Sequence, residues 1–191
     1  MCAADASEKK RLREILNRTP AKGDAEALCR HVLSTPWFLE AGSVMAFVPM
    51  PMEPDIREIL RRTLDMGKRL ALPRCMGGGI MKAHWVRSLE DLIPGPFQIP
   101  EPDRNLPEAL PAEIDLILTP GLAFDRRGGR LGRGMGYYDR FLADFTGRTL
   151  GICFQEALLP RVPMDRYDLF MDAVATDLEV LTFIRTEGDA N

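Results

Sequence analysis

The stretch from Thr119 to Arg140 constrains this chain more than any other. Five of the nine residues from Gly128 to Gly136 are glycine. Arg127, Arg130 and Arg133 are interleaved with them, and Tyr137, Tyr138 and Asp139 follow at once. Residues 113–118, just before it, have the apolar character of a buried strand. Phe141, Leu142 and Phe145, just after it, recur at helical spacing. The order is therefore strand, glycine-rich basic loop, helix, which suits a phosphate. Glycine lets the backbone turn at positive φ and approach a ligand closely. Consecutive free N–H groups form an anion cradle, and a following helix points its positive end at the same place. Arginine forks match phosphate oxygens, and Asp139 is placed to hold Mg²⁺ beside them. A flexible, solvated basic loop would share the glycines and arginines. The strand before and the aspartate after favour a phosphate site. The stretch is neither the standard P-loop, since Met135 stands where a lysine would serve and no Gly-Lys-Ser/Thr follows, nor the dinucleotide fingerprint, since Gly132, Gly134 and Gly136 alternate and no third glycine falls at the required spacing.

The basic character is local. The 191 residues carry a net charge of −3, so nothing global favours nucleic acid, and a small anionic ligand fits better than a polyanion. Hydrophobic residues make up 46% and charged residues 28% of the chain, the balance of an ordinary globular protein with one core. Its length predicts a single domain over 1–191. No apolar run approaches the ~18 residues of a membrane span, and the N-terminal residues lack the apolar core of a signal peptide. Cys2, Cys29, Cys75 and Cys153 are scattered without metal-binding spacing, so reduced thiols in a cytoplasmic protein are expected. His31 and His84 read as packing or surface residues.

Along the chain, Ser7 is expected to cap a first helix, with Leu12, Ile15 and Leu16 inward and Lys9, Lys10, Arg11 and Arg13 crowding its start. Lys9 and Arg13, one turn apart, share a face that can reach an anion. A second helix spans about 24–33 and ends at Pro36-Trp37. Residues 43–48 form a buried strand, followed by a loop bearing Glu53 and a helix begun by Pro54 and closed by Gly67. Residues 68–73 form the next strand, with Arg74 just past its end. In open α/β sheets strand ends face the ligand crevice, which places Glu53 and Arg74 on one rim. Gly77 to Gly79 form a turn before a hairpin strand over 80–86. The six prolines between residues 94 and 112 predict an extended surface crossing. Residues 149–154 and 172–176 are further strands, an edge strand falls in 178–184, Asp165 to Asp168 is a polar cluster, and 185–191 look frayed. The alternation predicts an α/β fold: three layers, a largely parallel central sheet flanked by helices, and a small antiparallel hairpin region.

Arg130-Leu-Gly-Arg-Gly-Met-Gly-Tyr-Tyr-Asp139, preceded by Pro120-Gly-Leu-Ala-Phe-Asp125, resembles the signature of the 5-formyltetrahydrofolate cyclo-ligases, also called methenyltetrahydrofolate synthetases. Weaker likenesses fall in the family's order at Lys9 with Leu12-Arg13, at 51–55, at Leu72-Pro-Arg74, at Ile99 to Pro102, and from Leu159-Pro160 through Tyr167-Asp168 to Thr176. The resemblance implies a reaction in which 5-formyltetrahydrofolate and MgATP give 5,10-methenyltetrahydrofolate, ADP and phosphate through an iminium phosphate. No protein nucleophile is needed, in keeping with the absence of a Ser/His or Cys/His grouping; positioning and charge neutralisation carry such chemistry.

Site roles follow from the same resemblance. Arg130, Leu131, Gly132, Arg133, Gly134, Met135, Gly136, Tyr137 and Tyr138 would wrap the ATP phosphates, with Lys9, Arg13 and Arg74 as further contacts. Residues Arg133 to Tyr137 would also border the pterin, Arg133 and Tyr137 acting catalytically. Glu53 would accept hydrogen bonds from the pterin, with Val48 and Met50 as apolar wall. Asp139 and Asp168 would hold Mg²⁺. Two departures stand out: Met135 replaces a basic residue common in the family, and Tyr167 replaces the histidine usual before Asp168. The implied partners are the folate, possibly polyglutamylated, and ATP, with no nucleic acid or membrane, in a monomer or weak homodimer. The rivals are a sugar-phosphate isomerase with Asp125 or Glu53 as base, a CoA transferase, and a nucleotide-binding module without turnover; the tyrosine pair has no reason in the first two.

Overall fold

The computed structural model describes residues 3–96 and 99–183; the edge strand's last residue and the tail over 185–191 lie outside them. Helix α1 (Ala3–Arg18) starts before Ser7, because the alanines at 3, 4 and 6 are strong helix formers. Lys9 and Arg13 therefore lie in the helix interior, clear of the unfavourable first-turn dipole. Asp24 caps α2 (Ala25–Ser34), accepting hydrogen bonds from the Glu26 and Ala27 amides. Pro36 opens a further short helix, α3 (Pro36–Glu40), where Thr35 accepts from the Phe38 amide; proline suits a first helical position. Strand β1 (Ser43–Met45) leads through extended chain to Glu53. Helix α4 (Arg57–Asp65) begins three residues after Pro54, and Gly67 closes it at φ +72°.

The long hairpin β2 (Arg69–Gly77) and β3 (Ile80–Val86) follows. The proline-rich segment does more than cross the surface. It folds into the antiparallel pair β4 (Leu92–Pro94) and β5 (Pro100–Pro102) and then β6 (Glu108–Ala109), with Glu101, Pro102 and Ala109 buried. Edge pairing tolerates the prolines because half the backbone groups there need no partner. Then come β7 (Leu116–Pro120), β8 (Ala123–Asp125), β9 (Arg130–Leu131), α5 (Tyr137–Phe141), β10 (Arg148–Ile152), β11 (Leu158–Leu159), β12 (Ala173–Ala175) and β13 (Val180–Thr182).

The main sheet runs β13-β12-β10-β7-β1-β2-β3-β6. Strands β12, β10, β7, β1 and β2 are mutually parallel, and β13, β3 and β6 add antiparallel edges. Alternate residues feed two cores. Val44, Leu70, Leu116 and Leu118 meet Leu28, Val32, Phe38 and Ile59 of the helices on one face. Met45, Ala71 and Ile117 meet Phe124, Leu142 and Met171 on the other. A strand buried on both faces must be apolar throughout, as β1 and β7 are.

The second core positions the site, because Phe124 sits on β8, the strand that leads into the glycine-rich loop. Phe124 is fully buried, and a Cβ on Gly151 would stand 2.4 Å from its ring. Gly151→Ala should therefore lower unfolding free energy by about 1–3 kcal/mol through overpacking. Urea denaturation measures it; an unchanged midpoint would show that the ring is free to shift.

Candidate active site

The glycine-rich stretch divides into two parts with different duties. The first half is a hairpin turn between β8 and β9. The Asp125 carboxylate, fully buried, accepts from the amides of Arg127, Gly129 and Val162, each at 2.9 Å. Gly128 adopts φ +88°, and a Cβ on Gly129 would stand 2.7 Å from Asp125 Oδ2. These glycines serve Asp125, and Asp125 is occupied, so it is no catalytic base. The second half, Gly132 to Gly136, borders a cavity of about 870 Å³. The helix behind it, α5, has only five residues, so its dipole is small, and the cradle's attraction for anions rests on backbone amides and side-chain cations.

Helix α1 supplies one wall through Ala6, Lys9 and Arg13. Arg13 Nε donates to the Gly132 carbonyl at 2.9 Å and so fixes the loop to the helix. Lys9 is 5% exposed, and its ammonium donates to Asp165 at 2.8 Å and to Asp168. Burial pulls its pKa down, but the hydrogen bonds and charges of the two aspartates outweigh it, and the net shift is upward. The Lys9 hydrogen bond holds Asp165 below the usual carboxylate range. Across the cavity, Arg130 is 6% exposed and its Nη2 lies 2.5 Å from Asp139 Oδ1, while Nη1 donates to the Pro120 carbonyl at 3.3 Å. Arg130 packs over Tyr138, with its guanidinium carbon 5.6 Å from the ring centroid.

The extended chain after β1 brings Val48, Met50 and Glu53 to the same cavity. Glu53 accepts from the Met50 amide at 3.0 Å and from Arg133 at 3.3 Å; Arg133 also donates to Asn17. Residues 80 apart in sequence thus meet at one point.

Most of the expected site residues therefore share one cavity: Lys9, Arg13, Val48, Met50, Glu53, Arg130, Gly132 to Asp139, and Asp168. Two do not border it. Leu131 is 1% exposed and packs with Ala123 and Val162. Arg74 lies within β2, which runs on to Gly77. Its side chain donates to the Pro102 carbonyl at 2.6 Å and lies 4.0 Å from Glu101. The expectation that Arg74 follows a strand end fails because the β3 pairing extends the strand beyond its apolar part. His31 and His84 hydrogen-bond the Thr176 and Leu106 carbonyls, as structural residues do.

These residues suit a nucleotide and a hard cation. The Tyr138 hydroxyl and Arg130 Nε are buried with no hydrogen-bond partner among the described residues, and burial pushes the Tyr138 phenol well above its usual pKa. Such atoms have capacity left for a ligand. Asp139 and Asp168 offer carboxylate oxygens of the kind Mg²⁺ takes. Among the described residues, no three His, Cys, Asp or Glu side chains cluster tightly enough to hold a metal alone.

The family model described as the 5-formyltetrahydrofolate cyclo-ligase family matches residues 3–177. The chain belongs to this family. A probable 5-formyltetrahydrofolate cyclo-ligase of Schizosaccharomyces pombe is 30% identical, over 91% of this chain and 97% of that protein. The cyclo-ligase of Mycolicibacterium smegmatis is 35% identical, over 86% of this chain and 87% of its own. Among solved structures, the 5,10-methenyltetrahydrofolate synthetase of Aquifex aeolicus superposes with a TM-score of 0.81 at 28% identity, covering 96% of each chain.

Within this cyclo-ligase frame, sequence reasoning passed over Asp165 and Arg140. Asp165 holds Lys9, and its amide donates to Asp168 at 2.6 Å. The Asp-x-x-Asp spacing of a tight turn was the available signal. Arg140 donates to the carbonyls of Gly79 and Met135, tying the β2–β3 turn to the glycine loop; nothing in the sequence announces that contact.

The pair at Lys9 sets a pH window. A depressed Asp165 pKa contributes stability that is present above its unfolded value of 3.8 and lost as pH falls through the folded value. A raised Lys9 pKa contributes stability that is present below 10.5 and lost as pH rises through the folded value. Lys9→Met should lower the melting temperature by roughly 5 °C between about pH 5 and 9, and the gap should shrink below about pH 4. Melting curves against pH measure it; a gap that widens in acid would contradict the pairing.

Proposed function

We propose that this chain catalyses the ATP-dependent cyclisation of 5-formyltetrahydrofolate to 5,10-methenyltetrahydrofolate, releasing ADP and phosphate. The observation that carries this reading is one cavity that joins a glycine cradle, two nearly buried cations and the carboxylate of Glu53. The formyl oxygen attacks the γ-phosphorus and ADP leaves. N10 then attacks the formyl carbon, the carbon–oxygen bond breaks, and phosphate departs, the N10 proton being taken up by it.

Each group has a part in that sequence. Glu53 accepts N–H groups of the pterin, a ring rich in such donors, while Val48 and Met50 cover its apolar surface. Arg133, already against Glu53, stands where pterin and terminal phosphate would meet and stabilises charge there. Lys9, Arg13 and Arg130 contact phosphates, and the Gly132 to Gly136 amides complete the cradle. Asp139 and Asp168 would hold Mg²⁺, which when bound neutralises phosphate charge. In the structure each of these acids is paired with a cation, Asp168 with Lys9 and Asp139 with Arg130, so binding would exchange partners: cations to phosphates, carboxylates to metal. Catalysis is positioning and electrostatics.

Supporting a reducing, cytoplasmic setting, Cys29, Cys75 and Cys153 are free thiols. Burial pushes Cys29 up to about 11 and Cys153 up to about 12, so both are inert at neutral pH. No helix among the described residues is long and apolar enough to cross a membrane. A monomer or weak homodimer suffices, since the cavity is complete within one chain.

Protein mixed with 5-formyltetrahydrofolate and MgATP should produce the near-ultraviolet absorbance of the methenyl product. Asp139→Asn should reduce turnover by about 100-fold or more, the scale of losing one preorganised charge at a reacting centre, in a protein that still folds but melts at a lower temperature, because Arg130 loses its acid. A folded wild-type protein without absorbance gain would refute the activity. Unchanged turnover of Asp139→Asn at saturating Mg²⁺ would refute the metal role.

A further inference from the structure

The cavity has two ends, and one remains without an occupant in the reaction as written. At one end Glu53, Val48 and Met50 take the pterin, with Arg133 beside Glu53. The γ-phosphoryl group must lie there, next to the formyl oxygen. The remaining phosphates then run along the glycine loop toward Lys9. Beyond Lys9 the cavity is bordered by Ala6, one turn earlier on α1, and by the Asp165–Asp168 turn. A nucleotide placed this way has its nucleoside at that far end.

What stands there is Tyr167. It borders the cavity, and 65% of its surface is exposed. It is also held in place. Its amide donates to Asp165 Oδ1 at 2.9 Å. Arg166 donates to its hydroxyl and places its guanidinium carbon 4.6 Å from the ring centroid. The same turn holds Lys9, through Asp165 and Asp168. A tethered aromatic ring with free area, adjacent to a phosphate-facing cation, is what a flat heterocycle stacks on.

We infer that Tyr167 is the stacking platform for the nucleobase of the bound nucleotide, and so determines nucleoside affinity at the end of the cavity remote from the folate. The inference rests on the ATP-dependent reading above. Stacking uses the ring and not the hydroxyl, so phenylalanine should replace tyrosine and alanine should not.

Equilibrium titrations without folate test it, using MgADP and inorganic tripolyphosphate against wild type, Tyr167→Phe and Tyr167→Ala. Expected are MgADP binding to Tyr167→Ala roughly tenfold weaker, the scale of one lost base–aromatic stack, and Tyr167→Phe within about twofold of wild type. Tripolyphosphate, which has no base, should bind all three alike. Equal MgADP affinity in Tyr167→Ala would overturn the stacking role and leave the ATP reading standing. A parallel loss of tripolyphosphate affinity would also overturn it, by showing a disturbed phosphate site. Wild type that binds neither probe would overturn the ATP reading and this inference with it.

Discussion

A cavity lined by nearly buried cations must remain folded when no anionic ligand is there. Here each nearly buried cation has its own acid: Lys9 lies between Asp165 and Asp168, and Arg130 is against Asp139. The alternative, a buried charge without a partner, would cost about 3–5 kcal/mol, a large part of a domain's net stability. The pairs leave the site electrically satisfied yet exchangeable, because a polyanion with its metal can offer each member a better-matched partner. The fold provides the rest. Parallel strands buried on both faces hold the chain ends after β1 and β7 side by side, and α1 closes the third side through Arg13 and the Gly132 carbonyl.

The distinction between turn and cradle within the glycine-rich stretch follows the same logic. Gly128 and Gly129 look like phosphate glycines in sequence but are required by Asp125, which needs backbone amides close on every side. One of those amides comes from Val162, 37 residues later. No local pattern reveals such a partner. Gly134 and Gly136, at φ +98° and +66°, border the cavity instead.

Much of the remaining architecture was legible because periodicity and punctuation are local. Residues 43–48, 149–154 and 172–176 read as strands and Gly67 as a helix stop; strands are found over 43–45, 148–152 and 173–175, and Gly67 follows α4 at positive φ. The misplacements have physical causes of longer range. Pro36 and Pro54 were read from proline's general preference for a first helical turn or a helix end, whereas Thr35 caps α3 and α4 begins only after Ile56, beyond Pro54. Arg74 was misplaced because β3 draws β2 past its apolar part. The site was legible in its chemistry and not in its pairing. Sequence alone marked Lys9, Arg130, Asp139 and Asp168 separately. Only the fold shows that the presumed phosphate ligands and the presumed metal ligands hold one another.

That mutual hold is the central claim, and a cation titration reaches it directly. Mn²⁺ binding, followed by electron paramagnetic resonance without nucleotide, compares wild type with Lys9→Met. With Lys9 in place Mn²⁺ should stay free at submillimolar concentration; with methionine there, Asp165 and Asp168 lose their ammonium and should take up the metal. Equal, tight Mn²⁺ binding by the wild type would contradict the account, since the acids would then not be engaged by Lys9 in the resting protein.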